Sequence, residues 1–223
     1  MEEISLKDIE NYIKNKYKDY IKLDNDYYQV TTAIAGDLPF VNPHIDLYTC
    51  DYGLQGKWGL CDSKGNELIK PQYLFPLHKF DNIYMVSLPI KNDEGIIVDM
   101  DSGLVDENNN EIVPIKYGFM TWLDDAGNYF KVFDKKLGKY GVIDRNYNII
   151  ISFIYDYIYT SAENDQIIIN DNNLYGVYDF KLNKVIIPPK YIERMRVVKY
   201  NVFELTNQQD CKTYINEKGD III

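Results

Sequence analysis

Residues 57–73 read KWGLCDSKGNELIKPQY: an aromatic–glycine pair, an apolar run ending in Asp62, a turn, a second apolar run and a closing tyrosine. The core of this stretch, Gly59 to Asp62, returns as GLVD (Gly103 to Asp106), GVID (Gly141 to Asp144) and GVYD (Gly176 to Asp179), at intervals of about 35 to 44 residues. A degraded copy, TYIN (Thr213 to Asn216), has lost its glycine. The fourth residue past each Asp or Asn is Asn66, Asn110, Asn148, Asn183 or Asp220. Apolar pairs follow, from Leu68-Ile69 to Ile222-Ile223. Pro71, Pro114 and Pro188 come next in three copies, and Tyr73, Tyr117, Tyr155 and Tyr191 close four. Each complete copy then reaches a strand-like run: IYMVSL, NYFKVF, QIIIN or NVFELT. The chain repeats one small module.

Each motif position has a physical reading. The Asp heads a hairpin loop, where its carboxylate accepts from backbone N–H groups two residues on. Gly65, Asn109 and Gly219 fall where a left-handed backbone is needed. Tyr147 and Leu182 would hold it only at a cost, so Asn148 and Asn183 are expected to take it instead. The glycine before the apolar run leaves room for an aromatic to lie across it, and Trp58, Tyr140 and Tyr175 are the candidates. The proline is expected to end main-chain pairing and turn the chain outward. The third slot of the run holds Cys61, Val105, Ile143, Tyr178 or Ile215, which makes Cys61 a small core residue and not a nucleophile.

These residues resemble the WG repeat, a bacterial β-repeat of aromatic-Gly, an apolar run to Asp, a turn Gly, then apolar-Ile-Pro and Tyr. Trp58-Gly59, Tyr140-Gly141 and Tyr175-Gly176 match its signature pair; Ser102 and Lys212 depart from it. The resemblance covers residues 45–223. It implies a β-repeat architecture and brings no catalytic residues with it.

Before the repeats, SLKDIENYIKNKYKDYIKL places Leu6, Ile9, Ile13, Tyr17 and Tyr20 or Ile21 on one face, with Ser5 as N-cap and Asp8 three residues on. A helix of about four or five turns within residues 1–24 is expected to pack on or cap the array. Residues 25–223 form the β-repeat domain, with units starting near 57, 101, 139 and 174. The segment 27–50, with YYQVTTAIAG and HIDLYTC as strands joined by GDLPFVNP, reads as the back half of a unit, and residues 210–223 as the front half of one. Such a split unit suggests closure by strand pairing. The expected fold is all-β, an antiparallel repeat array with one N-terminal amphipathic helix. A closed five-bladed, propeller-like ring is favoured over an open twisted array.

Composition narrows the function. The chain of 223 residues carries 24 Lys and Arg against 34 Asp and Glu, a net charge of −10, and 21 tyrosines. Nucleic-acid binding needs clustered cations to displace counterions, and no such run exists. The same field disfavours anionic membranes and favours basic partners. Cys50, Cys61 and Cys211 are too few and too scattered for a disulfide framework. The opening MEEISLKDIE carries acids where a signal peptide needs cations, and no apolar run approaches spanning length, so a cytoplasmic location is expected.

Only two histidines are present, His44 and His78, neither at metal-ligand spacing, and no phosphate loop or nucleophile elbow appears. His44 and Asp46 fall on one strand face, where a structural contact is the simpler use. DMDSG (Asp99 to Gly103) has a calcium-loop look, but the position needing a final acid is Asn110. No enzyme activity, metal or cofactor is expected. Binding chemistry then falls to the variable segments after each closing tyrosine, with Trp122, Asp124, Asp125, Tyr157, Tyr159, Arg194 and Arg196 as candidates, because large aromatics and Arg anchor interfaces. The expected function is a scaffold presenting these loops to a protein or peptide. The alternatives are an acidic immunity protein neutralising a basic toxin and a glycan-binding module.

Overall fold

The computed structural model describes residues 6–23, 27–34, 56–159 and 165–222. The chain divides into two compact units, Met1–Phe119 and Met120–Ile223. In the first, helix α1 (Leu6–Lys16) precedes a four-stranded sheet in the order β1 (Asp19–Lys22), β2 (Tyr28–Ile34), β3 (Gly56–Cys61), β4 (Glu67–Tyr73). A second sheet runs β5 (His78–Phe80), β6 (Ile83–Lys91), β7 (Ile97–Asp106), β8 (Glu111–Tyr117). The second unit holds β9 (Phe119–Trp122), β10 (Tyr129–Asp134), β11 (Lys139–Asp144), β12 (Ile149–Tyr155) as one sheet. Another is formed by β13 (Tyr157–Tyr159), β14 (Gln166–Asp171), β15 (Leu174–Asp179) and β16 (Lys184–Tyr191). The last sheet has three strands, β17 (Arg194–Lys199), β18 (Val202–Thr206) and β19 (Lys212–Asn216). The fold is an all-β antiparallel array, each sheet pairing strands in chain order.

The loops obey the turn chemistry of the motif. Oδ1 of Asp62 accepts from the amides of Lys64 and Asn66, both at 2.8 Å, and Oδ2 accepts from Asn66 Nδ2 at 2.8 Å. Asp106 and Asp144 repeat all three bonds; Asn216 Oδ1 likewise accepts from the amides of Lys218 and Asp220, but its third bond is reversed, Asn216 Nδ2 donating to Asp220 Oδ2 at 3.2 Å. The left-handed residue is the third after the acid: Gly65, Asn109, Gly219 and, against expectation, Tyr147 at φ 67°. The reciprocal bonds between Asp144 and Asn148 lock the loop in one register, and Tyr147 bears the strain. Asn183 takes positive φ in place of Leu182, as the sequence implies. A left-handed L-residue costs roughly 1–2 kcal/mol, and Asn tolerates it better than Tyr. Tyr147→Asn should therefore raise the urea midpoint by the equivalent of about 1 kcal/mol; an unchanged midpoint would show that the tyrosine ring recovers the strain.

The motif glycine has a different role from the one its aromatic neighbour suggests. Trp58 pairs with Tyr73 and Leu60 with Ile69, so three residues of β4 (Lys70, Pro71 and Gln72) stand opposite Gly59. The same bulge recurs between Ser102–Tyr117 and Leu104–Val113, between Tyr140–Tyr155 and Val142–Ile151, and between Tyr175–Tyr191 and Val177–Ile187. A Cβ on Gly59 would run into the Ile69 carbonyl oxygen and lie 2.7 Å from Pro71 N; on Gly176 it would lie 2.5 Å from Ile187 O and 2.7 Å from Pro189 N. Bulged backbone covers the glycine. The prolines sit inside this bulge, within β4, β8 and β16, where a missing N–H costs no ladder bond. They bend the strand without ending it.

Within each unit, clusters of buried side chains bind neighbouring sheets. Trp58, Leu60, Ile69 and Tyr73 pack with Leu77, Tyr84, Val86 and Val105. Val142, Ile151 and Tyr155 pack with Ile158, Ile167, Ile169 and Tyr178, and Ile168, Val177 and Ile187 pack with Met195, Phe203, Leu205 and Ile215. Polar side chains stitch neighbours together: Gln29 Nε2 donates to Leu77 O at 2.6 Å, and Tyr73 OH to Asn109 Oδ1 at 2.6 Å. Cys61, Val105, Ile143, Tyr178 and Ile215 are all buried, so the third slot is core. Burial pushes the Cys61 thiol up, away from the reactive thiolate.

The N-terminal helix is shorter than its pattern suggests. Ile9, Ile13 and Tyr17 pack on Tyr28, Val30 and Cys61, with Asp8 in the first turn and Lys14 and Lys16 in the last to suit the helix dipole. Asp19–Lys22 then forms β1, pairing Tyr20 with Val30 and Ile21 with Gln29. Tyr and Ile suit a strand, and here they gain ladder bonds that a further helical turn would forgo. Within the proposed split unit, Tyr28–Ile34 is β2, paired with β1 and β3 in the first sheet. Ser5, GDLPFVNP, HIDLYTC, and hence His44, Asp46, Tyr48 and Cys50, lie outside the described residues. Asp99–Gly103 runs in the middle of β7 as extended strand, and among the described residues no group of His, Cys, Asp and Glu is placed to hold a metal ion. Among the described residues no helix is long and apolar enough to cross a membrane.

Candidate binding surface

The second unit gathers aromatic rings on one strip. Tyr157 on β13 stands opposite Asn170 on β14, which stands opposite Tyr175 on β15. Cross-strand partners share a face, and Tyr159, two residues along from Tyr157, joins them. Ring centroids run Phe133–Tyr140 at 4.9 Å, Tyr140–Tyr157 at 4.9 Å, Tyr157–Tyr159 at 4.6 Å and Tyr159–Tyr175 at 5.9 Å. All five side chains stay partly accessible. Lys131, 5% exposed, lies against the row, its Nζ 4.7 Å from the Tyr157 ring and 5.7 Å from that of Tyr140. The same nitrogen donates to Ile158 O at 3.2 Å. The cation holds the two rings in place by attraction to their π faces. Burial, with a hydrogen bond to Tyr175, pushes the Tyr159 phenol to about 12, so it stays protonated at neutral pH.

Tyr175 also borders a cleft of about 510 Å³, whose lining includes Ile192, Arg194, Thr206, Asn207 and Asp210. Arg194 is exposed on β17 opposite Thr206, and Ile192 is 74% exposed. The far wall is firm, because Asn207 Oδ1 accepts from the Gln209 and Cys211 amides, both at 2.9 Å. Of the candidates, Tyr157 and Tyr159 are thus brought together, and Arg194 lies at the cleft that continues from Tyr175.

The others have different places. Arg196 is committed to Glu204: Nε donates to Oε1 at 2.7 Å and an Nη to Oε2 at 2.9 Å. Tyr214 OH at 3.0 Å and Lys212 Nζ at 3.3 Å also reach Glu204, whose side chain is 3% exposed. The Arg196 hydrogen bonds, joined by those from Tyr214 and Lys212, hold this carboxyl down at about 2. Its contribution to stability is complete above the ordinary Glu range near 4.3 and is lost as pH falls through about 2. Glu204→Gln should lower the urea midpoint at pH 7, and the gap from the native chain should close as pH falls from about 4.5 towards 2. A gap independent of pH would mean that packing and not charge is lost.

Trp122 is half-buried at the end of β9, in a different sheet from the tyrosines of β13 and β15. Asp124 serves its own loop, accepting from the Asn128 amide at 3.1 Å and the Tyr129 amide at 2.9 Å. Asp125 is exposed beside it. Sequence reasoning missed Asn170 and Lys131, and gave Tyr140 and Tyr175 a scaffold role alone. The available signal was polarity out of place: Lys131 in NYFKVF and Asn170 in QIIIN interrupt otherwise apolar strands.

Successive antiparallel sheets, four of them built on one bulge-and-turn module, define a β-repeat protein. A family model described as the WG containing repeat matches residues 58–73 and 140–175, and the chain carries this repeat. No curated protein matches it. Among solved structures, it is similar to apo AztD from Citrobacter koseri at 10% identity and a TM-score of 0.37, covering 92% of this chain and 58% of that one. It is also similar to a crystal structure described as the eukaryotic initiation factor, at 10% identity and a TM-score of 0.33, covering 89% of this chain and 74% of the other.

Proposed function

We propose that this chain is a non-catalytic binding module, presenting the row Tyr140–Tyr157–Tyr159–Tyr175 and the Arg194 cleft to a protein or peptide partner. The carrying observation is the row itself: four half-accessible phenols in ring contact, two of them held by a buried lysine. Rigid amphipathic rings bind at low entropic cost, and Arg beside them adds a directional donor. The five successive sheets are read as blades of a closed ring, and the working location as the cytoplasm.

The test is capture from the native host with the full chain beside a Tyr159→Ala, Arg194→Ala variant. At least one protein should be retained by the first and lost by the second; equal retention of every partner overturns the reading. The net charge of −10 favours a second reading, an immunity-type inhibitor of a basic toxin. Its association rate would fall steeply with added salt, whereas capture by the tyrosine row would respond weakly. Binding of glycans in place of proteins would move the function to sugar recognition.

A further inference from the structure

One polar side chain in the tyrosine row is not used by the fold. Asn170 is 6% exposed, yet its carboxamide has no hydrogen-bond partner among the described residues, and neither of its polar atoms is sealed from solvent. The repeat supplies its own controls, because the same register position, opposite the residue before the motif glycine, is held by Thr31, Ser87, Phe133 and Thr206. Thr31 donates to Ala33 O at 2.6 Å, Ser87 bonds Ser102 at 2.9 Å, and Thr206 reaches Glu204 at 3.4 Å. Phe133 needs no partner. Of these five positions, Asn170 alone carries hydrogen-bonding capacity that the described residues leave unused.

The setting defines the missing partner. Tyr157 and Tyr175 flank Asn170 on its two sides, and Tyr159 touches both, forming an arc of phenols around one amide. Asn170 carries no charge, and the cation in the row, Lys131, is committed to the Tyr157 and Tyr140 rings and to Ile158 O, so the ligand is not selected by ion pairing. The carboxamide brings two N–H donors and Tyr175 an O–H, while the Tyr159 phenol is already bonded to Tyr175. Donors of this number suit a ligand rich in acceptors. A polyproline II segment is such a ligand: its carbonyls are unbonded, its prolines have no N–H, and pyrrolidine rings pack on aromatic faces. A pyranose would prefer a flat platform, and these rings are tilted by 55° and 37° to one another.

We infer that the Asn170 box binds a proline-rich segment in the polyproline II conformation, Asn170 Nδ2 donating to a main-chain carbonyl while a pyrrolidine ring packs on the accessible surface of Tyr157, Tyr159 and Tyr175. This rests on the tyrosine row being a peptide-binding surface. The test uses the full ¹⁵N-labelled chain and end-capped decaproline, with the Asn170 side-chain amide signals assigned by their loss in Asn170→Leu. Decaproline should shift those signals saturably. Asn170→Leu and Tyr159→Ala should each weaken binding about tenfold or more, with the rest of the spectrum unchanged. No saturable shift, or binding that survives Asn170→Leu, overturns the inference; saturable binding of cellohexaose or chitohexaose in place of decaproline overturns it too and assigns the box to glycans. If decaproline fails while host capture still depends on Tyr159 and Arg194, the box is misassigned and the binding surface stands; if both fail, both fall.

Discussion

Trp58→Ala should destabilise the protein by roughly 3–5 kcal/mol, the cost of emptying a large aromatic site in a core that cannot fully collapse. Trp58 is 2% exposed and packs in the cluster that joins the first two sheets, with Tyr73 on its own sheet, Leu77 just before the next, and Tyr84 and Val86 on it. Its loss therefore loosens both sheets. The motif predicts similar treatment for Tyr140 and Tyr175, but these rings are half-exposed, so Tyr140→Ala should cost distinctly less. Urea denaturation followed by circular dichroism measures both; a Trp58→Ala change below about 1 kcal/mol would show that the ring is not a keystone of that cluster.

Gly176→Ala should cost roughly 3 kcal/mol, at the upper end of what an added methyl imposes, because backbone and not a movable side chain occupies the space. The atoms in the way are Ile187 O at 2.5 Å, Pro189 N at 2.7 Å and Pro188 C at 2.8 Å. Gly59→Ala meets the same obstacle. Gly141→Ala should be milder, since the Phe153 ring at 2.9 Å supplies two of its three close contacts and can rotate. An alanine scan in which Gly176 and Gly141 cost the same would remove the reason for this ordering.

The repeat was legible because its signals are local. An acid that caps a loop, an Asn four residues later and a left-handed position between them are settled within five residues, so Asp62, Asp106 and Asp144 read correctly from the chain alone. The glycine's reason was not legible, because it depends on a register shift in the neighbouring strand that no single segment encodes. Tyr147 misled for a related reason: propensity disfavours its conformation, and the reciprocal Asp144–Asn148 bonds override propensity. Residue type singles out Tyr157, Tyr159 and Arg194, and the structure puts the two tyrosines in ring contact and Arg194 at a cleft. Asn170 was missed, since its meaning comes from two tyrosines on flanking strands.

Four units share one bulge folded over a bare glycine. Interstrand nuclear Overhauser contacts report this register residue by residue. Backbone contacts should link Trp58 with Tyr73, Ser102 with Tyr117, Tyr140 with Tyr155 and Tyr175 with Tyr191, and Leu60 with Ile69 and its counterparts, with three residues bypassed each time. An uninterrupted ladder, in which Gly59 pairs one-to-one within β4, would contradict it.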